Sequence, residues 1–157
     1  MVLSNYPKEL LKLDSLEHLV LQEVGDDFDW EDFFLNKIIH YKQLKHLGIG
    51  PYHEVYIPNK ACQTLEYLER LDLPLVNVMC LPDRRFGLPN ERYLCLPDNI
   101  GSMKSLRYLN LGMTEIAWFP PSLFELEALD TLWLPDPMIN DSVEIKKKFK
   151  QDIVLLY

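Results

Sequence analysis

Two histidines, His18 and His46, stand 28 residues apart, and paired imidazoles are a natural place to look for metal or acid–base chemistry. A zinc site needs about four ligands. The next position in the same series, 24 residues further on, holds Arg70, which cannot ligate. No Ser, Cys or His sits in a nucleophile motif, and the glycines form no phosphate-cradling loop, so no catalytic centre and no cofactor are implied. The lysines at 146, 147, 148 and 150 are an isolated basic cluster in a chain of net charge -8. They read as a solvated helix face rather than a nucleic-acid patch. The stretch EVGDDFDWED holds six acids and no base, which could attract a basic partner. However, Trp30, Phe33, Phe34 and Ile38 fall at helical spacing, and acids suit the first turn of a helix. What remains is a set of polar and aromatic residues with no catalytic pattern: Arg70, Asp72, Tyr108, Asn110, Thr131 and Trp133.

The spacing of the leucines decides what positions these residues. In LPDNIGSMKSLRYLNL (96–111) the apolar residues Leu96, Ile100, Met103, Leu106, Leu109 and Leu111 change period, from gaps of three and four to a gap of two. The same frame returns 23 residues later in FPPSLFELEALDTLWL, and it also fits YPKELLKLDSLEHLVL at 6–21. Weaker copies end in Leu44, Leu47, Ile49 and in Leu68, Leu71, Leu73. Self-similarity of this kind marks a repeat architecture. From Leu19 the steps to Leu47, Leu71, Leu109 and Leu132 are 28, 24, 38 and 23. The long step carries about 15 extra residues, the distance between two copies of CLPD at Cys80 and Cys95. Two readings stay open: an excursion loop over about 82–96, or an extra short strand at Leu94 and Leu96.

These segments resemble the leucine-rich repeat family, whose consensus is LxxLxLxxN. Within that resemblance, LPDNIGSMKSLRYLNLGMTEI is most like repeats of intracellular plant disease-resistance receptors. The fold implied is an α/β solenoid in a horseshoe arc, with a parallel β-sheet on the concave face and short helices or 3-10 turns on the convex face. The chain departs from the family at the Asn slot, which holds Val24, Tyr52, Val76, Thr114 and Pro137. Of these, Thr114 alone offers a short hydrogen-bonding side chain, so the turns are expected to be irregular.

The length of 157 residues suits a single domain of about five repeats. A helix–strand cap at 138–157 is expected to follow, with Asp141 as N-cap of SVEIKKKFK and DIVLLY as the last strand. No apolar run reaches membrane-span length, and MVLSNYPKELLK has no apolar signal region. An odd count of cysteines, Cys62, Cys80 and Cys95, points to reduced thiols and a cytoplasmic location. The frame begins part-way through a repeat, so an unpaired edge at the first strand is expected to favour self-association unless residues 1–5 cover it.

If the leucines of LxL point inward, the residues between and beside them must face the concave side. In successive repeats these are His18 and Val20, His46 and Gly48, Arg70 and Asp72, Tyr108 and Asn110, and Thr131 and Trp133. The core requires none of these identities, and aromatic residues and Arg dominate many interfaces. The resemblance then implies a non-enzymatic module that binds a protein ligand. The alternative is a structural or autoregulatory segment that packs against another domain of a larger protein. Tyr108 and Trp133 should form the centre of the face, with Arg70 as a charged flank.

Overall fold

Each LxL segment is a strand, because an extended chain turns alternate side chains to opposite faces and the leucines have one apolar face to bury. The computed structural model describes residues 6–22, 24–25, 27–80 and 93–157. In chain order its strands are β1 (His18–Leu21), β2 (His46–Ile49), β3 (Glu54–Tyr56), β4 (Arg70–Asp72), β5 (Asn77–Cys80), β6 (Tyr93–Leu94), β7 (Tyr108–Asn110), β8 (Thr131–Trp133) and β9 (Val154–Leu156). The main sheet has six strands in the order β1-β2-β4-β7-β8-β9. All its pairings are parallel, and the register aligns Leu19, Leu47, Leu71, Leu109, Leu132 and Leu155 in one row. All of that row but Leu155 are buried. Each such leucine contributes about 1.5–3 kcal/mol by leaving water.

The side opposite the sheet is built from short turns that fit whatever length each repeat supplies. Helix α1 (Trp30–Asp32) is capped by Asp29, whose Oδ1 accepts from the backbone N–H of Asp32 at 2.8 Å. It runs on through a π turn, Phe33–Lys37, and a 3-10 turn, Ile38–His40. As the spacing predicts, Trp30, Phe33, Phe34 and Ile38 are buried. Helix α2 (Asn59–Thr64) buries Ala61 and Cys62. The later repeats use 3-10 turns at Ile100–Ser102 and Pro121–Glu125. Between these two turns the backbones pack closely, since a Cβ on Gly101 would stand 2.4 Å from the Ser122 carbonyl oxygen.

The long step bears out the extra-strand reading in part. Strand β5 pairs in parallel with β3 and antiparallel with β6, making a separate three-stranded sheet. Leu94 is therefore in a strand, but outside the main sheet, and Leu96 lies buried beyond the strand end. The middle of the expected loop, residues 81–92, lies outside the described residues. A second correction concerns the cysteines. Cys95 is disulfide-bonded, so the expectation of three reduced thiols fails there, while Cys62 is free and buried.

The turns after the strands replace the missing Asn ladder one by one. Thr114 is buried and its Oγ1 donates to the Leu111 carbonyl at 2.8 Å. Tyr52, Leu75 and Met113 take positive φ, at 67°, 56° and 58°, a region that costs a bulky side chain energy. At the far end a 3-10 turn, Asp136–Asp141, leads directly into α3 (Ser142–Lys148). Asp141 stands at the N-cap position, but its side chain makes no capping bond.

A feature missed in the sequence reading stands at the strand entrances. Glu17, Lys45, Glu69, Arg107 and Asp130 alternate in sign, and successive backbones are joined by N–H to O bonds of 2.8–2.9 Å. Lys45 pairs with Glu17 at 3.1 Å and Arg107 with Asp130 at 3.1 Å. Opposite charges on neighbouring strands favour this register, and like charges would oppose it.

Two outcomes follow from the packing. Ile153 has 0% exposure, so Ile153→Ala should cost about 2–5 kcal/mol in urea unfolding, with Lys147→Ala close to neutral. Equal midpoints for the two variants would mean that residues after 141 do not close the core. Burial raises the Cys62 thiol to about 12, so too little thiolate exists at neutral pH to react. Iodoacetamide should leave Cys62 unmodified in the folded protein and label it in urea. Rapid labelling of the folded chain would contradict its burial.

Candidate protein-binding face

The register sorts the predicted residues into two columns. One runs His18, His46, Arg70, Tyr108, Thr131, and the other runs Val20, Gly48, Asp72, Asn110, Trp133. Apart from the buried Gly48, these residues range from half-buried to exposed, while the leucines between them are buried. Thr131 Oγ1 donates to the Asp130 carboxylate beside it, at 2.9 Å.

At the centre of the face lies Asp72, with a side chain 15% exposed. Arg70 Nε donates to its Oδ2 at 2.5 Å, and Arg70 Nη2 donates to its Oδ1 at 3.0 Å. His46 Nε2 lies 2.8 Å from Oδ2, and Asn110 Nδ2 donates to Oδ1 at 3.3 Å. Three strands thus converge on one carboxylate. Donating to the Asp72 carboxylate raises the Arg70 guanidinium further above its ordinary value, so it stays charged. On its other side the guanidinium lies over the Tyr108 ring, 3.8 Å from the centroid. Such a contact adds cation–π attraction and fixes the plane of the fork.

His18 and His46 stand side by side as the slot alignment predicts, with ring centroids 5.7 Å apart and planes at 89°. His46 thus links the outer His18 to the Asp72 centre. Tyr108 and Trp133, expected from the sequence to form the centre of the face, make no ring contact with each other among the ring pairs of the described residues. Tyr108 meets Arg70 instead, because these two are register partners on adjacent strands. Trp133 stands opposite Asn110, close enough that a Cβ on Gly112 would come within 3.5 Å of its Cε3. Its indole Nε1 is buried without a hydrogen-bond partner.

Two lysines of the basic cluster are paired within the chain. Lys147 pairs with Glu144 at 2.6 Å and Lys146 with Asp152 at 2.9 Å, in keeping with a solvated helix face. An open depression of about 510 Å³ at the strand entrances is lined by Glu69, Arg107, Asp130, Gln151 and Asp152. There Gln151 Nε2 donates to the Leu126 and Leu129 carbonyls at 2.7 and 3.0 Å, so its polar groups serve to join the cap to the last full repeat.

A parallel sheet with one turn-rich side and an LxL core defines a leucine-rich repeat solenoid, and comparison with known structures agrees. A solved leucine-rich repeat protein of Leptospira interrogans matches with a TM-score of 0.57 at 23% sequence identity, over 97% of this chain and 40% of that one. This chain therefore spans less than half the length of that neighbour. No family model matches the chain, and no curated protein does.

If Asp72 organises the face, Asp72→Ala should leave His46, Arg70 and Asn110 without their shared acceptor and lower stability by about 1–3 kcal/mol. Urea unfolding measures this. An unchanged midpoint would show that water replaces the carboxylate at no cost.

Proposed function

We propose that the domain is a non-enzymatic protein-interaction module that binds a protein ligand through its concave face. The observation that supports this most is the Arg70–Tyr108 stack, held in place by Asp72. A preorganised Arg on an aromatic ring is a low-entropy anchor, and the core gains nothing from its identity. His18, His46, Asn110, Thr131 and Trp133 line the same surface and supply the surrounding contacts. The narrower likeness to plant disease-resistance repeats rests on the 96–116 segment, and the proposal does not depend on it.

A second reading has its own support. The chain matches 40% of its structural neighbour's length, and on this reading the concave face packs against another domain of a longer protein. Pull-down with the isolated domain separates the two, because a segment that serves its own chain retains no specific partner. Self-association through the β1 edge belongs to the same proposal, and residues 1–5, which would cover that edge, lie outside the described residues. No helix among the described residues is long and apolar enough to cross a membrane.

The deciding comparison is Tyr108→Ala and Trp133→Ala against Lys147→Ala, with affinity for the captured partner and melting temperature read for each. The aromatic variants should each lose about 2 kcal/mol of binding, roughly 30-fold, with Lys147→Ala unaffected. Binding that survives both aromatic changes would move the site off the concave face.

A further inference from the structure

The hydrogen-bonding inventory of the concave centre is one-sided. Asp72 accepts from Arg70, from Asn110 and through its contact with His46, so both of its oxygens are taken. The Asn110 carbonyl oxygen accepts from the Gly112 backbone N–H at 3.0 Å. Donors, by contrast, are left over. A guanidinium carries five N–H groups in a planar fork. Asp72 engages Nε and Nη2, while the side chain as a whole is 44% exposed. Its remaining N–H groups lie on Nη1 and Nη2, a second edge of the kind that grips a carboxylate with two parallel bonds.

The distribution of charge points the same way. The chain has 24 acidic residues, yet Asp72 is the one acid in the two columns of β1, β2, β4, β7 and β8, and Arg70 neutralises it. His18 and His46 stand beside this pair. The face therefore departs from the acidic character of the rest of the molecule. Burying spare donors against a partner without acceptors would be costly, so the complementary surface must bring acceptors.

We infer that the concave centre takes a carboxylate side chain of the partner, an Asp or Glu, on the free edge of Arg70 beside His46. Asp72 and Tyr108 are positioning residues: one fixes the orientation of the fork and the other supports its plane. This rests on the concave-face reading and names its partner chemistry.

The test uses the full chain and two capped peptides, tetraglutamate and tetralysine, followed by NMR of the arginine Nε–Hε and histidine ring signals. Tetraglutamate should bind saturably and shift Arg70 and His46, even though the whole molecule carries a net charge of -8. Arg70→Lys keeps the charge but loses the fork, and should weaken binding about tenfold. Arg70→Gln should abolish it, and Arg107→Lys at the strand entrances should leave it unchanged. Melting temperatures confirm that each variant is folded. Equal binding by Arg70→Lys, or shifts confined to other residues, would overturn the inference. Shifts of Arg70 and His46 caused by tetralysine alone would also overturn it, while leaving the concave-face reading standing. That reading falls if partner capture survives the Tyr108 and Trp133 substitutions.

Discussion

A strand that shares a core with one layer of turns can bury only every second residue, and the in-register stacking of six such strands makes that parity common to the whole sheet. The row from Leu19 to Leu155 is the physical form of this constraint. A slip of one residue in a strand would send a leucine to the concave side, and in β4, β7 or β8 it would drive Arg70, Tyr108 or Trp133 toward the core. Parity therefore fixes two things together: which side chains hold the solenoid and which are free to meet another molecule. The alternating charges from Glu17 to Asp130 reinforce the register at the strand entrances.

Because the sheet alone sets the register, the connections can vary. Steps of 28, 24, 38 and 23 residues all return to the same ladder. The longest contributes two strands, β5 and β6, to a second, small sheet, while the shortest makes a single 3-10 turn. The turns vary in the same way. Three hold a bulky residue at positive φ, and one of these, at Met113, is also tied by the Thr114 hydroxyl. The strain is tolerated because the buried leucines on either side over-determine the path of the chain.

Much of this was legible in the sequence because period and spacing are one-dimensional. The LxL frame placed His18 beside His46 and sorted Arg70, Tyr108 and Trp133 onto one face. The sign alternation at positions 17, 45, 69, 107 and 130 was equally readable once the repeats were aligned, and was missed. What could not be read is lateral and depends on three dimensions. The meeting of Arg70, His46 and Asn110 on Asp72 crosses three strands and is set by side-chain reach. The second sheet was hidden because Glu54–Tyr56 and Asn77–Cys80 are too short to show a period, and their partners lie in other repeats. The disulfide at Cys95 was not legible either, since an odd cysteine count leaves one thiol free whether or not the others pair. The likeness to a solved solenoid at 23% identity supports the fold, and the chemistry of the concave face then has to be argued from its own residues.

On the proposed function, the residues that parity leaves free are the ones that meet the partner. Photo-crosslinking in the complex tests this directly, with the probe placed singly at Val20 or Thr131 on the concave face and at Ile39 or Glu127 among the convex turns. All four positions are at least partly exposed, so each can carry the probe without disturbing the core. The account predicts crosslinks to the partner from Val20 and Thr131 and none from Ile39 and Glu127. Crosslinks from the convex pair with none from the concave pair would contradict it.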